Sequence, residues 1–308
     1  MPSKINVALV GYGYWGKIFF KYLDASKFIS ILWVCTKNSS PELKNRCKTS
    51  NNFNEILNDD SVELVVIITP LKSHYQLAKK ALLSKKNVFI EKPTTSSYQK
   101  TKELFRIAKN KDKLIITDFP YVYSKSLTKL KSLVKKQGNI KKVDISFSQL
   151  GRFGRGDVLY LLGTHILSIL NSLFSIEKIN IKSNKIFKTK NSESPEAREI
   201  LFIANKIQFN VSMNLLSVDK RRIMTIYGDK KVIQWSPDLE NSLAIFENNI
   251  KEKNSNEIPM KFKFDEKNNL SNVVSYLVDT IKKESLPNNE LALKVQKHIN
   301  VIIKEKTK

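Results

Sequence analysis

The sequence predicts an α/β fold, with an N-terminal doubly wound parallel sheet followed by a C-terminal α+β half built on a largely antiparallel open sheet. Three observations predict it. First, the opening ~118 residues alternate short, nearly continuous apolar runs with stretches of helical period, as expected where helices cover both faces of a parallel sheet. Second, apolar and polar residues further on alternate at period two, the pattern of strands with one buried and one wet face. Third, Gly11, Gly13 and Gly16 stand between the first apolar run and the first helical stretch.

In chain order, the apolar runs 5–10, 29–35, 62–69, 88–91 and 114–117 read as strands. A helix is expected over 15–23, where Trp15, Phe19 and Leu23 share one face. Others are expected over 73–83, with Ser73 as its N-cap, and over 98–108. A helix over 124–136 would stop at Gly138, a residue suited to a helix C-terminus. Val143, Ile145 and Phe147 then alternate with Asp144, Ser146 and Ser148, and Phe209, Val211 and Met213 alternate with Asn210, Ser212 and Asn214. Helices over 159–174, 271–283 and 292–304 complete the second half, and the polar stretch 248–257 reads as a surface loop. The expected division is residues 1–118 and 119–308, each long enough for its own core.

Composition narrows the classes. The chain has 308 residues, 41% of them hydrophobic, and no apolar run long enough to span a bilayer. The N-terminus enters a strand at once, with no secretory pattern, and Cys35 and Cys47 form neither a disulfide framework nor a metal-ligand pattern, so a reducing, cytoplasmic setting is expected. The net charge of +24 is spread along the chain, not gathered with aromatics, which speaks for a solvated lysine-rich surface and against nucleic-acid binding. The excess would favour an anionic substrate.

The glycine turn is where a dinucleotide pyrophosphate would lie. Gly11 would permit the tight turn, Gly13 the approach of the phosphates, and Gly16 the close packing of helix on strand, while the helix N-terminus offers N–H groups to the anion. Strand C-termini line the ligand crevice of such sheets, so Thr69-Pro70, with His74 just beyond, would face the coenzyme; His74 reads equally as a locally bonded first-turn residue. Glu91-Lys92-Pro93 ends another strand, where Lys92 could stabilise a developing alkoxide. His165 lies in an apolar helical run, either as a core residue or as a general acid/base; His298 reads as structural.

These motifs occur together and in order, and the chain resembles the Gfo/Idh/MocA oxidoreductase family. Ser217-Val-Asp-Lys-Arg-Arg and Ile226-Tyr-Gly228 extend the likeness across the chain, and the Leu-Gly-Arg-Phe segment is similar to the branch acting on nucleotide-linked sugars. The resemblance implies a Rossmann domain and a nicotinamide-dependent enzyme moving hydride to or from a sugar carbon. Lys92 would polarise the oxygen and His165 would take the hydroxyl proton. It implies coenzyme contacts from Gly11, Tyr12, Gly13, Tyr14, Trp15, Gly16, Thr36, Lys37, Thr69, Pro70, His74, Glu91 and Lys92. It also implies substrate contacts from Tyr123, Arg152, Tyr160 and Thr164, no metal, and a homo-oligomer, dimer or tetramer.

Two positions depart from the family pattern. Leu161 replaces an aspartate four residues before the histidine, and Ile166 replaces one directly after it. Tyr121, Tyr123 and Tyr160 are candidate substitutes, each also readable as an ordinary half-buried aromatic. The departures keep open a non-catalytic cofactor- or sugar-binding regulatory protein on the same scaffold. At the end of the second strand, Thr36-Lys37 stands where an acid would bind a ribose 2′-hydroxyl, which favours NADP over NAD.

Overall fold

The computed structural model describes residues 4–38, 41–151, 156–247, 258–266 and 269–305. The chain divides into two compact units, Met1–Pro120 with Asn269–Gln296, and Tyr121–Asn268 with Lys297–Lys308.

The first unit runs β1 (Ile5–Val10), α1 (Tyr14–Asp24), β2 (Ile29–Cys35), β3 (Lys48–Ser50), α2 (Phe53–Leu57), β4 (Leu64–Ile67), α3 (Leu71–Leu83), β5 (Asn87–Ile90), α4 (Tyr98–Asn110) and β6 (Ile115–Thr117). Its strands form one parallel sheet in the order β3-β2-β1-β4-β5-β6. The strand order reverses between β1 and β4, the place where doubly wound sheets open a ligand crevice. Val7, Leu9, Leu64, Val66, Val88 and Phe89 are buried in its core. α3 starts two residues before the expected cap. Pro70 is its N-cap, and the Ser73 hydroxyl instead donates to the Pro70 carbonyl at 2.7 Å. The proline's missing N–H costs nothing at a helix start, so the helix begins as soon as the chain leaves it.

The second unit runs α5 (Lys125–Val134), β7 (Ile140–Leu150), a π-helical turn Leu159–Gly163, α6 (Thr164–Phe174), β8 (Asn180–Phe187), β9 (Ala197–Ala204), β10 (Ile207–Asn214), β11 (Leu216–Gly228), β12 (Lys231–Trp235), β13 (Leu243–Glu247) and β14 (Met260–Phe262). The sheet order is β14-β13-β12-β11-β7-β10-β9-β8, antiparallel except for the β7–β10 pair. Phe147, Phe209, Met224 and Trp235 pack on one face. Asp144, Ser146, Asn210 and Ser212 line a shallow basin of about 470 Å³ on the opposite face. The Trp235 indole donates to the Ser126 hydroxyl at 2.7 Å, which satisfies the ring's one polar atom inside the core.

The expected single helix over 159–174 is two elements. Asp157 accepts the Leu159 N–H at 2.8 Å, a π-helical turn follows, and the α-helix proper starts at Thr164. The polar stretch 248–257 lies outside the described residues.

α7 (Asn269–Ile281) and most of α8 (Asn289–Lys304) return to the first unit, where α7 packs on α1. The Asn288 side chain accepts from the Thr117 N–H at 3.0 Å and donates to the Thr117 carbonyl at 2.6 Å, so it acts as one residue of a missing strand at the β6 edge. The described residues contain no helix long and apolar enough to cross a membrane.

Candidate functional site

The glycine turn has the shape a pyrophosphate needs. Gly11 has φ +98°, and a Cβ there would collide with the Ile68 carbonyl. A Cβ on Gly16 would collide with the Gly11 carbonyl, whereas one on Gly13 would meet nothing within 4 Å. Gly13 is also the N-cap of α1, with no side-chain cap and no acid in the first turn. The first N–H groups of α1 therefore have no capping side chain and suit an incoming anion. The loop is not filled by its own aromatics: Tyr14 is 56% and Trp15 36% exposed, and the Tyr12 ring lies edge-on to Phe20 at 5.6 Å. These observations fit a dinucleotide. Beyond β2, Thr36 is half-buried and its hydroxyl meets the Asn38 carbonyl at 3.3 Å, while Lys37 is exposed.

His74 has a different job from the coenzyme contact expected of it. Its imidazole is 1% exposed, with Nδ1 3.0 Å from the Pro93 carbonyl oxygen and Nε2 2.8 Å from that of Thr69. The ring thus lies between the Thr69-Pro70 turn and the loop after β5, and as a neutral imidazole it donates to one of the two carbonyls. Burial holds the ring below the ordinary histidine range, partly opposed by its bonds to Thr69 and Pro93. Removing the ring would leave one carbonyl short of a donor, a cost of about 1–3 kcal/mol where buried.

β5 and β6 end side by side. Ile90 pairs with Thr117, and the next residues are Glu91 and Asp118. The Glu91 N–H donates to the Ile67 carbonyl at 3.0 Å and the Asp118 N–H to the Ile90 carbonyl at 2.9 Å, which carries the sheet bonding one step past the strands. Lys92 follows Glu91, half-buried, and is joined to Pro93 by a cis peptide. Burial pushes the Glu91 carboxyl up to about 7 against the pull of Lys92. Burial, then the Glu91 charge, pushes the Asp118 carboxyl well above the usual carboxylate range, again opposed by Lys92. Asp118 was missed in the sequence. Its signal was an acid directly after a short buried run, the same position relative to a strand that singled out Lys92.

In the second unit, His165 is half-buried in the first turn of α6. The Tyr121 ring stands perpendicular to it, centroids 5.1 Å apart, and also meets Phe147 at 5.7 Å and Trp235 at 6.1 Å. The Arg222 guanidinium lies 5.6 Å from the Tyr121 centroid, within cation–π range. It is fixed by Asp238 at 2.9 and 3.1 Å and by Gln149 at 3.0 Å. Burial drives the Tyr121 phenol up to about 12, so it stays a neutral O–H. Tyr121, one of the three tyrosines weighed as substitutes for the missing acid, meets His165 edge-on. Asp157, the acid nearest in sequence before Leu161, is committed to Arg198 at 2.9 Å and to the Leu159 N–H.

The expected substrate contacts fare unevenly. Thr164 is fully buried and its hydroxyl donates to the Tyr160 carbonyl at 2.7 Å, so helix geometry, not a ligand, uses it. Tyr123 and Tyr160 are half-buried, and burial raises the Tyr160 phenol. Arg152 lies outside the described residues. His298 is structural, as expected: its Nδ1 lies 3.2 Å from the Asn171 side-chain nitrogen. Among the described residues no group of His, Cys, Asp and Glu could hold a metal ion.

Residues 5–119 match the family described as oxidoreductase family, NAD-binding Rossmann fold. This match is to the Gfo/Idh/MocA family model and lies within the first unit. An uncharacterized oxidoreductase of Escherichia coli, YhhX, is 30% identical over 191 residues, covering 55% of this chain and 54% of that protein. The NADP-dependent scyllo-inositol 2-dehydrogenase IolW of Bacillus subtilis is 24% identical over 222 residues, covering 66% of this chain and 61% of IolW. The matched region spans about half the length of the first of these relatives. In fold, the chain is similar to UDP-N-acetylglucosamine 3-dehydrogenase GnnA of Acidithiobacillus ferrooxidans, with a TM-score of 0.84 at 14% identity, covering 97% of this chain and 96% of GnnA.

Proposed function

We propose that this chain is a nicotinamide-dependent oxidoreductase that interconverts a hydroxyl and a ketone on a sugar or cyclitol, with nucleotide-linked sugars the first class to test. One observation carries the reading: the Gly11–Gly16 cradle, uncapped at α1 and closed to any Cβ at Gly11 and Gly16, opens at the same sheet edge as Glu91-Lys92. The bound coenzyme would supply or accept the hydride. Lys92 would donate a hydrogen bond to the reacting oxygen and stabilise its developing charge. His165 would take up the hydroxyl proton in the oxidation direction. Thr36 and Lys37, with no acid at the end of β2, support NADP over NAD. IolW, an NADP-dependent inositol dehydrogenase, and GnnA, a nucleotide-sugar dehydrogenase, support the substrate class.

The test is a fluorescence titration of the purified chain with NADPH and NADH, followed by a turnover screen over inositols, keto-sugars and UDP-linked sugars. NADPH binding with turnover on one class supports the reading; absence of binding to either coenzyme overturns it.

A second reading, a regulatory protein that binds cofactor or sugar without turnover, is favoured by Leu161 and Ile166, which leave His165 without the acids seen in relatives. Turnover of any sugar removes it. We propose that one face of the second sheet serves self-association. The two free cysteines, Cys35 and Cys47, suit a reducing cytoplasm.

A further inference from the structure

The ends of β5 and β6 gather two carboxyls and one ammonium. Asp118 is 1% exposed, its Oδ1 is buried without a hydrogen-bond partner, and so is the Oε2 of Glu91. The two residues sit one step past the paired Ile90 and Thr117 on adjacent parallel strands, about 4.8 Å apart across the sheet. Lys92 acts on both carboxyls as the opposite charge. Two full negative charges beside one positive would leave a net charge on partly or fully buried groups, and two buried carboxylate oxygens without donors. One proton retained by the two carboxyls removes the excess charge and supplies a donor for an orphaned oxygen. The direction in which burial and mutual repulsion move both groups agrees with this.

We propose that Glu91 and Asp118 form one carboxyl pair that shares a single proton at neutral pH, with Asp118 the positioning residue that sets the charge beside Lys92. The part this charge plays in turnover rests on the oxidoreductase reading above; the shared proton does not.

The test is infrared difference spectroscopy on the full 308-residue chain, titrated from acidic to alkaline pH in H₂O and D₂O. A protonated-carboxyl C=O band is expected at neutral pH, moving to lower frequency in D₂O and vanishing in alkali. Asp118→Asn and Glu91→Gln should each abolish it at neutral pH, because one carboxyl alone beside Lys92 ionises, and Asp118→Glu should restore it. A parent chain with no such band at neutral pH overturns the shared proton, whether or not the variants fold. A band that survives in folded Asp118→Asn also overturns it. NADPH binding, read by fluorescence on the same samples, separates the two ideas: a band without coenzyme binding sinks the oxidoreductase reading alone, and coenzyme binding without a band sinks the shared proton alone.

Discussion

The two units surround the two nitrogens proposed for the chemistry, those of Lys92 and His165, in opposite ways. In the first, Lys92 sits beside Glu91 and Asp118, carboxyls whose buried oxygens lack donors and whose charges compete. In the second, aromatic rings and a guanidinium surround Tyr121, whose ring meets His165 edge-on. The first arrangement stores electrostatic tension and responds to pH. The second is rigid packing around a phenol that remains neutral across the physiological range. An acid beside an imidazole both orients it and stabilises its charged form. Tyr121, a neutral phenol, can orient the imidazole but does not bring the charge of an acid.

Breaking the coenzyme cradle should have the largest effect, because it removes what the contrast presupposes. Gly11→Ala forces a Cβ into the Ile68 carbonyl at positive φ. Loss of NADPH affinity of ~100-fold or more is expected, equivalent to about 3 kcal/mol, and a fluorescence titration reads it. Next come Lys92→Ala and His165→Ala. Each should lower kcat by ~10²-fold or more, while NADPH affinity in the same titration changes little.

Tyr121→Leu sharpens the second half of the contrast. It should lower turnover by ~10-fold, on the scale of one loosened positioning contact. Tyr121→Phe should keep most activity, because the ring and not the hydroxyl meets His165 in an edge-on contact. A Phe variant as slow as the Leu variant would show that the phenol itself is used.

The smallest effect concerns pH and stability. A buried acid raised in the fold binds its proton more tightly there than in the unfolded chain. That pair therefore adds stability in acid, and the contribution is lost as pH rises from the unfolded carboxyl range through about 7, the value to which Glu91 is pushed. Asp118→Asn should flatten this decline, so the Tm difference between variant and parent should move in the variant's favour by a few degrees between about pH 5 and pH 8. A constant difference across that range would refute the pH-sensitive half of the comparison.

Much of the first unit was legible. Apolar runs located β1, β2, β4, β5 and β6, because a strand packed under helices must be apolar at nearly every position. The glycines were legible because a collision with backbone admits no other residue at Gly11 or Gly16. The edge pieces were not: β3 and β14 are three residues each, too short for any period to register. The parallel pairing of β7 with β10 was also hidden, since alternation reveals which face is wet and not which strand lies alongside. His74 read ambiguously because its partners, Thr69 and Pro93, are backbone carbonyls that any sequence would provide. Asp118 escaped for a related reason. One acid after three apolar residues looks like a strand leaving the core, and only the packing reveals that it never reaches water.

The hydrogen bonds from Asn288 to Thr117 imply an order of assembly. The ribosome makes residues 121–268 between the last strand of the first sheet and the segment that finishes its margin. A nascent chain halted near residue 120 would therefore carry an unsealed sheet border and an uncovered α1, and a clone cut there should be sticky and short-lived. Moving residues 269–296 next to residue 120 by rearranging the gene would instead give the coenzyme half as an uninterrupted polypeptide.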